Sequence, residues 1–307
     1  MDGKLVLVTG AGRGLGAAYA QYLARLGAFV LVNDLGVGTE GSGRSDLPAR
    51  EMADAIVAAG GKASADMSDV ASPEQAEALV ARLIADHGRI DAVINNAGNF
   101  LPAKDFAETT LDEFALVWRS HLGSSYNLCR AVLPHMRAAG AGRIVNTGST
   151  QGLYGGPQST AYASAKGAIQ GLTLSLAAAV RGTGVAVNCI SPGAFTRMID
   201  GTDRPPDFTA ALRRNLAPDL VAPLAAWLCH PDCPENGAIL QGMAGWFSRS
   251  LIGDLDGFWD FTPTIDSVAR GFASLADDGP ITRAASSSAH AGAIVNRADA
   301  HRARTAA

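Results

Sequence analysis

The chain has 307 residues, 48% of them hydrophobic, with 25 basic against 29 acidic side chains and a formal charge of −4. That length allows two domains but suits one α/β domain equally, and the near-neutral balance, without a basic stripe, argues against a nucleic-acid partner. No apolar run approaches the ~18 residues that span a membrane, and the four cysteines, scattered at 129, 189, 229 and 233, fit reduced thiols in a cytoplasm better than a disulfide framework.

Short β-branched runs alternate with longer helical stretches. KLVLVTG (4–10) reads as a buried strand; it begins at once, without a basic segment and apolar segment before it, so no secretory leader is expected. Residues 15–27 read as a helix ending at Gly27, 28–34 as a strand, 46–59 as a helix and 61–67 as a third strand. Residues 72–88 form a helix with Ser72 as N-cap and Pro73 at its first position. Strand 89–98, a long helix over 111–139 and strand 142–149 follow, then helix 160–181, strand 184–191, helix 219–229 and strand 237–242. This alternation, with continuously apolar strands, predicts a single Rossmann-like, doubly wound parallel sheet with helices on both faces. The domain is expected over 1–285. The Ala-, Ser- and Arg-rich segment 286–307 reads as a flexible tail.

The turn VTGAGRGLGAAY joins the first strand to the first helix. Gly10, Gly14 and Gly16 allow a tight turn and close approach of a pyrophosphate to the backbone, and the helix presents free N–H groups and a positive dipole end. Arg13 and Leu15 belong to the same expected dinucleotide site. Asp34 ends the second strand 20 residues after Gly14, where a carboxylate would bind ribose hydroxyls. It would repel a 2′-phosphate, so NAD is expected over NADP. Arg13 is a contrary, phosphate-binding signal that the carboxylate outweighs. Further on, Tyr162 and Lys166 stand four apart in STAYASAKGAIQGL and share one helix face.

Thr9 to Gly16 (T-G-x-x-x-G-x-G), NNAG at 95–98, Ser149 thirteen residues before Y-x-x-x-K, and SPG at 191–193 occur in this order over some 190 residues. Together they resemble the short-chain dehydrogenase/reductase family. VNDLG (32–36), HL at 121–122, the run 220–237 and MAGW (243–246) resemble one of its subgroups, the (3R)-hydroxyacyl-CoA dehydrogenase part of peroxisomal multifunctional enzyme type 2 (17β-hydroxysteroid dehydrogenase type 4). The chain has no room for that protein's hydratase and sterol-carrier parts and lacks a terminal Ser-Lys-Leu signal, so a free-standing enzyme is expected.

The resemblance implies an NAD-dependent oxidoreductase interconverting a secondary alcohol and a ketone, with a small-molecule substrate of 3-hydroxyacyl-CoA or hydroxysteroid type. Tyr162 becomes the general base, or the acid in reduction. Its free pKa near ~10 is too high for that work, and the Lys166 cation would favour the phenolate. Lys166 would also bind the nicotinamide ribose, and Ser149 would hold the substrate oxygen. His121 occupies the position of the family's relay asparagine. It is either part of that relay, through its main-chain carbonyl, or a satisfied helix histidine. For the dinucleotide, the resemblance adds Asp66 and Met67 at the adenine, Asn95, Ala97 and Gly98 at the adenosine ribose, and Pro192, Gly193 and Thr196 at the nicotinamide end. Residues 195–218 would form much of the substrate wall. A homodimer or homotetramer is implied.

No metal is expected: Cys229, His230 and Cys233 lack the further ligands that a closed zinc site needs. Trp118 and Trp246 read as packing or interface residues, and Arg197 as a solvated loop residue. The competing reading is a non-catalytic NAD(H)-binding sensor or scaffold, because a fold does not by itself imply chemistry.

Overall fold

The computed structural model describes residues 1–38, 41–196, 205–275 and 279–305. Two compact units emerge, Met1–Ser250 and Leu251–Ala307.

The first unit is built on one eight-stranded sheet: β1 (Leu5–Thr9), β2 (Phe29–Asn33), β3 (Lys62–Asp66), β4 (Ala92–Asn95), β5 (Gly142–Thr147), β6 (Val185–Gly193), β7 (Ile239–Met243) and β8 (Trp246–Ser250). The spatial order is β3-β2-β1-β4-β5-β6-β7-β8. Every neighbouring pair from β3 to β7 is parallel, and β7–β8 is antiparallel. The order reverses between β1 and β4, and α/β sheets bind ligands at the strand C-termini beside such a reversal.

The doubly wound arrangement is visible within β1. Leu5 and Leu7 point into one core with Leu79, Leu83, Leu128 and Met136. Val6 and Val8 point into the other with Tyr19, Leu23, Ile56 and Leu228. A strand buried on both faces has to be apolar at every position, as LVLV is. Each fully buried side chain of this kind contributes roughly 1.5–3 kcal/mol.

The helices are α1 (Gly14–Arg25), α2 (Leu47–Ala58), α3 (Pro73–His87), α4 (Leu111–Trp118), α5 (Ser124–Ala139), α6 (Thr150–Tyr154), α7 (Thr160–Ala179), α8 (Pro206–Asn215) and α9 (Ala222–Cys229). Ser72 caps α3 by accepting from the Gln75 N–H at 3.3 Å, and Gly88 closes that helix at φ +71°. The long helix expected over 111–139 is interrupted: a π turn at Arg119–Gly123 separates α4 from α5. Such an inserted turn has no sequence period and sits disproportionately at functional sites.

Strand β8 was not expected from sequence. Ala244 and Gly245 both adopt positive φ, +53° and +77°, between the paired Met243 and Trp246. Two positive-φ residues make the tight primed turn of a hairpin, but Ala-Gly lacks the usual Asn-Gly or Asp-Gly signature.

The second unit holds α10 (Ile265–Ala273), opened by a Thr264–Ser267 capping box, and α11 (Ser287–Thr305). Asp254 pairs with Thr282, and Arg297 donates to Asp256 at 2.7 Å. The division therefore falls at 250/251, with the expected 285 boundary inside the second unit. The described part of the expected tail is helix, in keeping with the high helix propensity of alanine. Among the described residues no helix is long and apolar enough to cross a membrane.

Candidate active site

The loop between β1 and α1 makes the floor of a cavity of about 310 Å³ at the β1/β4 reversal. Gly10 and Gly14 hold φ +61° and +57°, which side chains disfavour. Gly16 is required for contact: an added Cβ would collide with the Gly10 carbonyl. Arg13 is extended at the N-cap and offers no side-chain cap to α1, so the first helical N–H groups keep no side-chain acceptor there. A turn without Cβ atoms, at an uncapped helix start, fits a pyrophosphate.

Asp34 stands at the cavity rim. Its Oδ2 accepts from the Gly12 N–H and its Oδ1 from the Gly36 N–H, both at 2.8 Å. The carboxylate is thus held by two backbone amides between the phosphate turn and the loop after β2.

Gly10, Arg13, Gly14, Leu15, Asp34, Ala97, Gly98 and Thr196 all enter the cavity wall. Thr196 lies over the turn: a Cβ on Gly14 would be 3.4 Å from its methyl. Five other expected contacts lie outside that wall. Asn95 is buried in the core, where its amide donates to Asn146 Oδ1 at 2.8 Å and ties β4 to β5. Asp66 is committed inside the protein, accepting from Asn33 at 2.8 Å and from Arg82 at 2.5 Å. Met67 packs on the core and its carbonyl accepts from Arg44 at 3.3 Å, while Ser68, Asp69 and Val70 supply the wall at that level. Gly193 ends β6 against the Met243 side chain, which leaves no space for a Cβ; Pro192 pairs with Gly242. Of the expected substrate wall, Arg197 and the rest of 197–204 lie outside the described residues.

The catalytic candidates meet at the C-terminal end of β5. Ser149 caps α6, its Oγ accepting from the Gln151 N–H at 3.1 Å, and its carbonyl accepts from Gln170 Nε2 on α7 at 3.2 Å. Gly152 lets α6 lie on α7; a Cβ there would come within 2.7 Å of the Lys166 and Gly167 backbone. This contact brings Ser149 close enough to Tyr162 for its hydroxyl to act on the phenol. Lys166 is 3% exposed, donates from Nζ to the Thr147 carbonyl at 2.7 Å, and lies 5.5 Å from the Tyr162 ring centre.

Burial raises the Tyr162 pKa and the Ser149 hydrogen bond lowers it. Burial also brings Lys166 down to about 8, with the Cys189 thiol opposing. So in the protein alone, burial outweighs the opposing effect of Ser149 on the phenol.

His121 lies in the π turn, buried, with its ring edge-on to Tyr162 at 5.2 Å. Nε2–H donates to the Asn99 carbonyl at 2.7 Å, so the neutral ring carries its lone pair on Nδ1. Burial and the Lys166 charge push its pKa down to about 3. The ring occupies the space a side chain at Gly98 would need. Its main-chain carbonyl accepts from Ser125 Oγ at 2.9 Å. Sequence reasoning passed over Asn99, Ser120 and Ser124, which also line the cavity; the polar SHLGS run at 120–124 was the available signal. Among the described residues no three His, Cys, Asp or Glu side chains are grouped to hold a metal.

Comparison with known proteins points to one family. A family profile for short chain dehydrogenases matches residues 4–205. The mouse peroxisomal multifunctional enzyme type 2 is 41% identical over 248 residues, which is 81% of this chain and 32% of the mouse protein, so the chain spans about a third of that relative's length. The crystal structure of a short chain dehydrogenase from Mycobacterium avium superposes with a TM-score of 0.74 at 35% identity, covering 92% of this chain and 99% of that one. A 7α-hydroxysteroid dehydrogenase complexed with NADH and 7-oxo glycochenodeoxycholic acid superposes with a TM-score of 0.71 at 29% identity, covering 82% and 96%. On the family match and these likenesses, the chain belongs to the short-chain dehydrogenase/reductase family, oxidoreductases that bind NAD(P) and act on CH–OH groups.

Proposed function

We propose that this chain is an NAD-dependent dehydrogenase that interconverts a secondary alcohol and a ketone. The observation that carries the reading is the meeting of Ser149, Tyr162 and Lys166 at the C-terminal end of β5. The dinucleotide would lie across Gly10, Arg13, Gly14 and Leu15, with Asp34 on the adenosine ribose and Thr196 at the nicotinamide end. When bound, it supplies the hydride acceptor or donor. Asp34 favours NAD because a 2′-phosphate would meet a carboxylate whose two oxygens are already fixed.

Ser149 orients the substrate oxygen, since its Oγ already accepts from Gln151 and keeps its proton for donation. Tyr162 takes the alcohol proton in oxidation and gives one in reduction. Lys166, anchored on Thr147, holds its positive charge beside the phenol ring and steadies the phenolate. We read His121 as a neutral packing partner of Tyr162, because its ring lies edge-on to the phenol and its imidazole resists protonation.

The substrate class best supported is a 3-hydroxyacyl-CoA or a hydroxysteroid, on the likeness to the mouse enzyme and to the steroid dehydrogenase. A homo-oligomer working in the cytoplasm completes the reading. The test is a screen by NADH absorbance of steroid alcohols against 3-hydroxyacyl-CoA esters, each with NAD and with NADP. Turnover with one class, NAD well above NADP, is expected. NADH binding without turnover of any alcohol or ketone would turn the reading into that of a sensor or scaffold.

A further inference from the structure

Gln170 stands four residues after Lys166 and eight after Tyr162, on the same face of α7. It is 5% exposed. The other buried residues around it on that helix include Ala165, Ile169 and Ala177, which pack apolar surface. An amide is disfavoured in such a place unless it is hydrogen-bonded, and Leu or Met would fill the space without that penalty. The amide does have a partner, and the partner belongs to the site.

Gln170 Nε2 donates to the Ser149 carbonyl at 3.2 Å. That carbonyl also accepts from the Gly152 N–H at 3.0 Å, but this second bond lies within the turn that opens α6 and moves with it. The glutamine bond ties the serine to the helix that carries Tyr162. Two residues back along the chain, the Thr147 carbonyl accepts from Lys166 Nζ at 2.7 Å. The two ties bracket Gly148, where the chain leaves β5. The lack of a side chain there leaves room for the amide: a Cβ on Gly148 would press on Cys189 Sγ at 2.7 Å and stand 3.5 Å from Gln170 Nε2. The extended backbone of Ser149, at φ −164° and ψ 153°, is thereby fixed relative to α7, and with it the direction of Oγ.

We infer that Gln170 is a positioning residue, which holds the Ser149 hydroxyl in register with Tyr162 by gripping the Ser149 main chain. This rests on the dehydrogenase reading above. A substrate oxygen has to meet both hydroxyls at once, so a small displacement of one slows the reaction while leaving the dinucleotide in place.

The test is a double-mutant cycle on the full chain, read by single-turnover oxidation of NADH with acetoacetyl-CoA and with a 7-oxo steroid. Gln170→Met keeps the length and volume and removes the donor. It should lower the rate constant about 10-fold, the loss of one hydrogen bond, with NADH affinity within about 2-fold of the wild type. In a Ser149→Ala background the same change should matter less than about 2-fold, because no hydroxyl is left to aim. A glutamine that merely supports the fold would slow both backgrounds equally. Gln170→Asn, which draws the amide back by one methylene, makes the same comparison if Gln170→Met misfolds. Equal losses in the two backgrounds, an unchanged rate constant in the single variants, or NADH affinity falling in step with the rate overturns the assignment. A wild type that reduces neither ketone, or Ser149→Ala with wild-type activity, instead sinks the reading of the site on which the assignment depends.

Discussion

Replacing His121 with Asn should flatten the acid side of the stability curve. The folded imidazole is pushed from 6.5 to about 3 by burial first and the Lys166 charge second, against the backbone bond to Asn99. Between those values the unfolded chain binds a proton that the folded chain refuses, so stability falls as pH falls through the window. From pH 7 to pH 5 one such group costs roughly 2 kcal/mol at ~1.4 kcal/mol per pKa unit. For a unit of about 250 residues that is roughly 4–8 °C in Tm. Thermal unfolding followed by circular dichroism at pH 7 and pH 5 measures it. The wild type should lose that much more than His121→Asn over the same interval, whatever the offset between the two proteins at pH 7, because the other five histidines are common to both. Parallel slopes would mean that the buried ring is protonated with ease, and the neutral packing role assigned to it would be wrong.

Three further outcomes follow from the site. Ketone reduction should hold level below about pH 8 and decline above it, because Lys166 gives up its proton there while the raised Tyr162 stays protonated; kcat/KM against pH reads this, and a decline beginning below pH 7 would contradict it. Asp34→Asn, which keeps an acceptor for one backbone amide but drops the charge, should raise the NADP-to-NAD ratio of kcat/KM roughly 10- to 100-fold, and an unchanged ratio would remove Asp34 from cofactor choice. Gly98→Ala should destabilise the protein by roughly 1–3 kcal/mol in urea titration, because the methyl meets the His121 ring; a neutral substitution would show that the ring can move aside.

What the sequence made legible was local. Twenty residues from Gly14 to Asp34 are one helix and one strand, and four residues from Tyr162 to Lys166 are one turn of helix, so spacing alone located them. Alternation of apolar strands with helices was enough for the sheet. The long-range pairings around the site were not legible. Asn95 gives its amide to Asn146, 51 residues on. Asp66 is held by Arg82 from the middle of α3. Neither pairing leaves a mark on local pattern. The π turn and the Ala244–Gly245 hairpin were hidden for another reason: both are backbone conformations that ordinary residues adopt under tertiary constraint. The surroundings of Asn99 were unreadable because its partners, Ser120 and His121, belong to that same hidden turn.

Proton transfer in this site depends on the phenol of Tyr162, and Tyr162→Phe removes one oxygen while leaving the ring against His121. NADH should bind this variant within about 2-fold of the wild type, while kcat falls by roughly 10²- to 10⁴-fold, the usual worth of a positioned proton donor. Turnover that survived the substitution, with NADH bound equally well, would contradict the central claim.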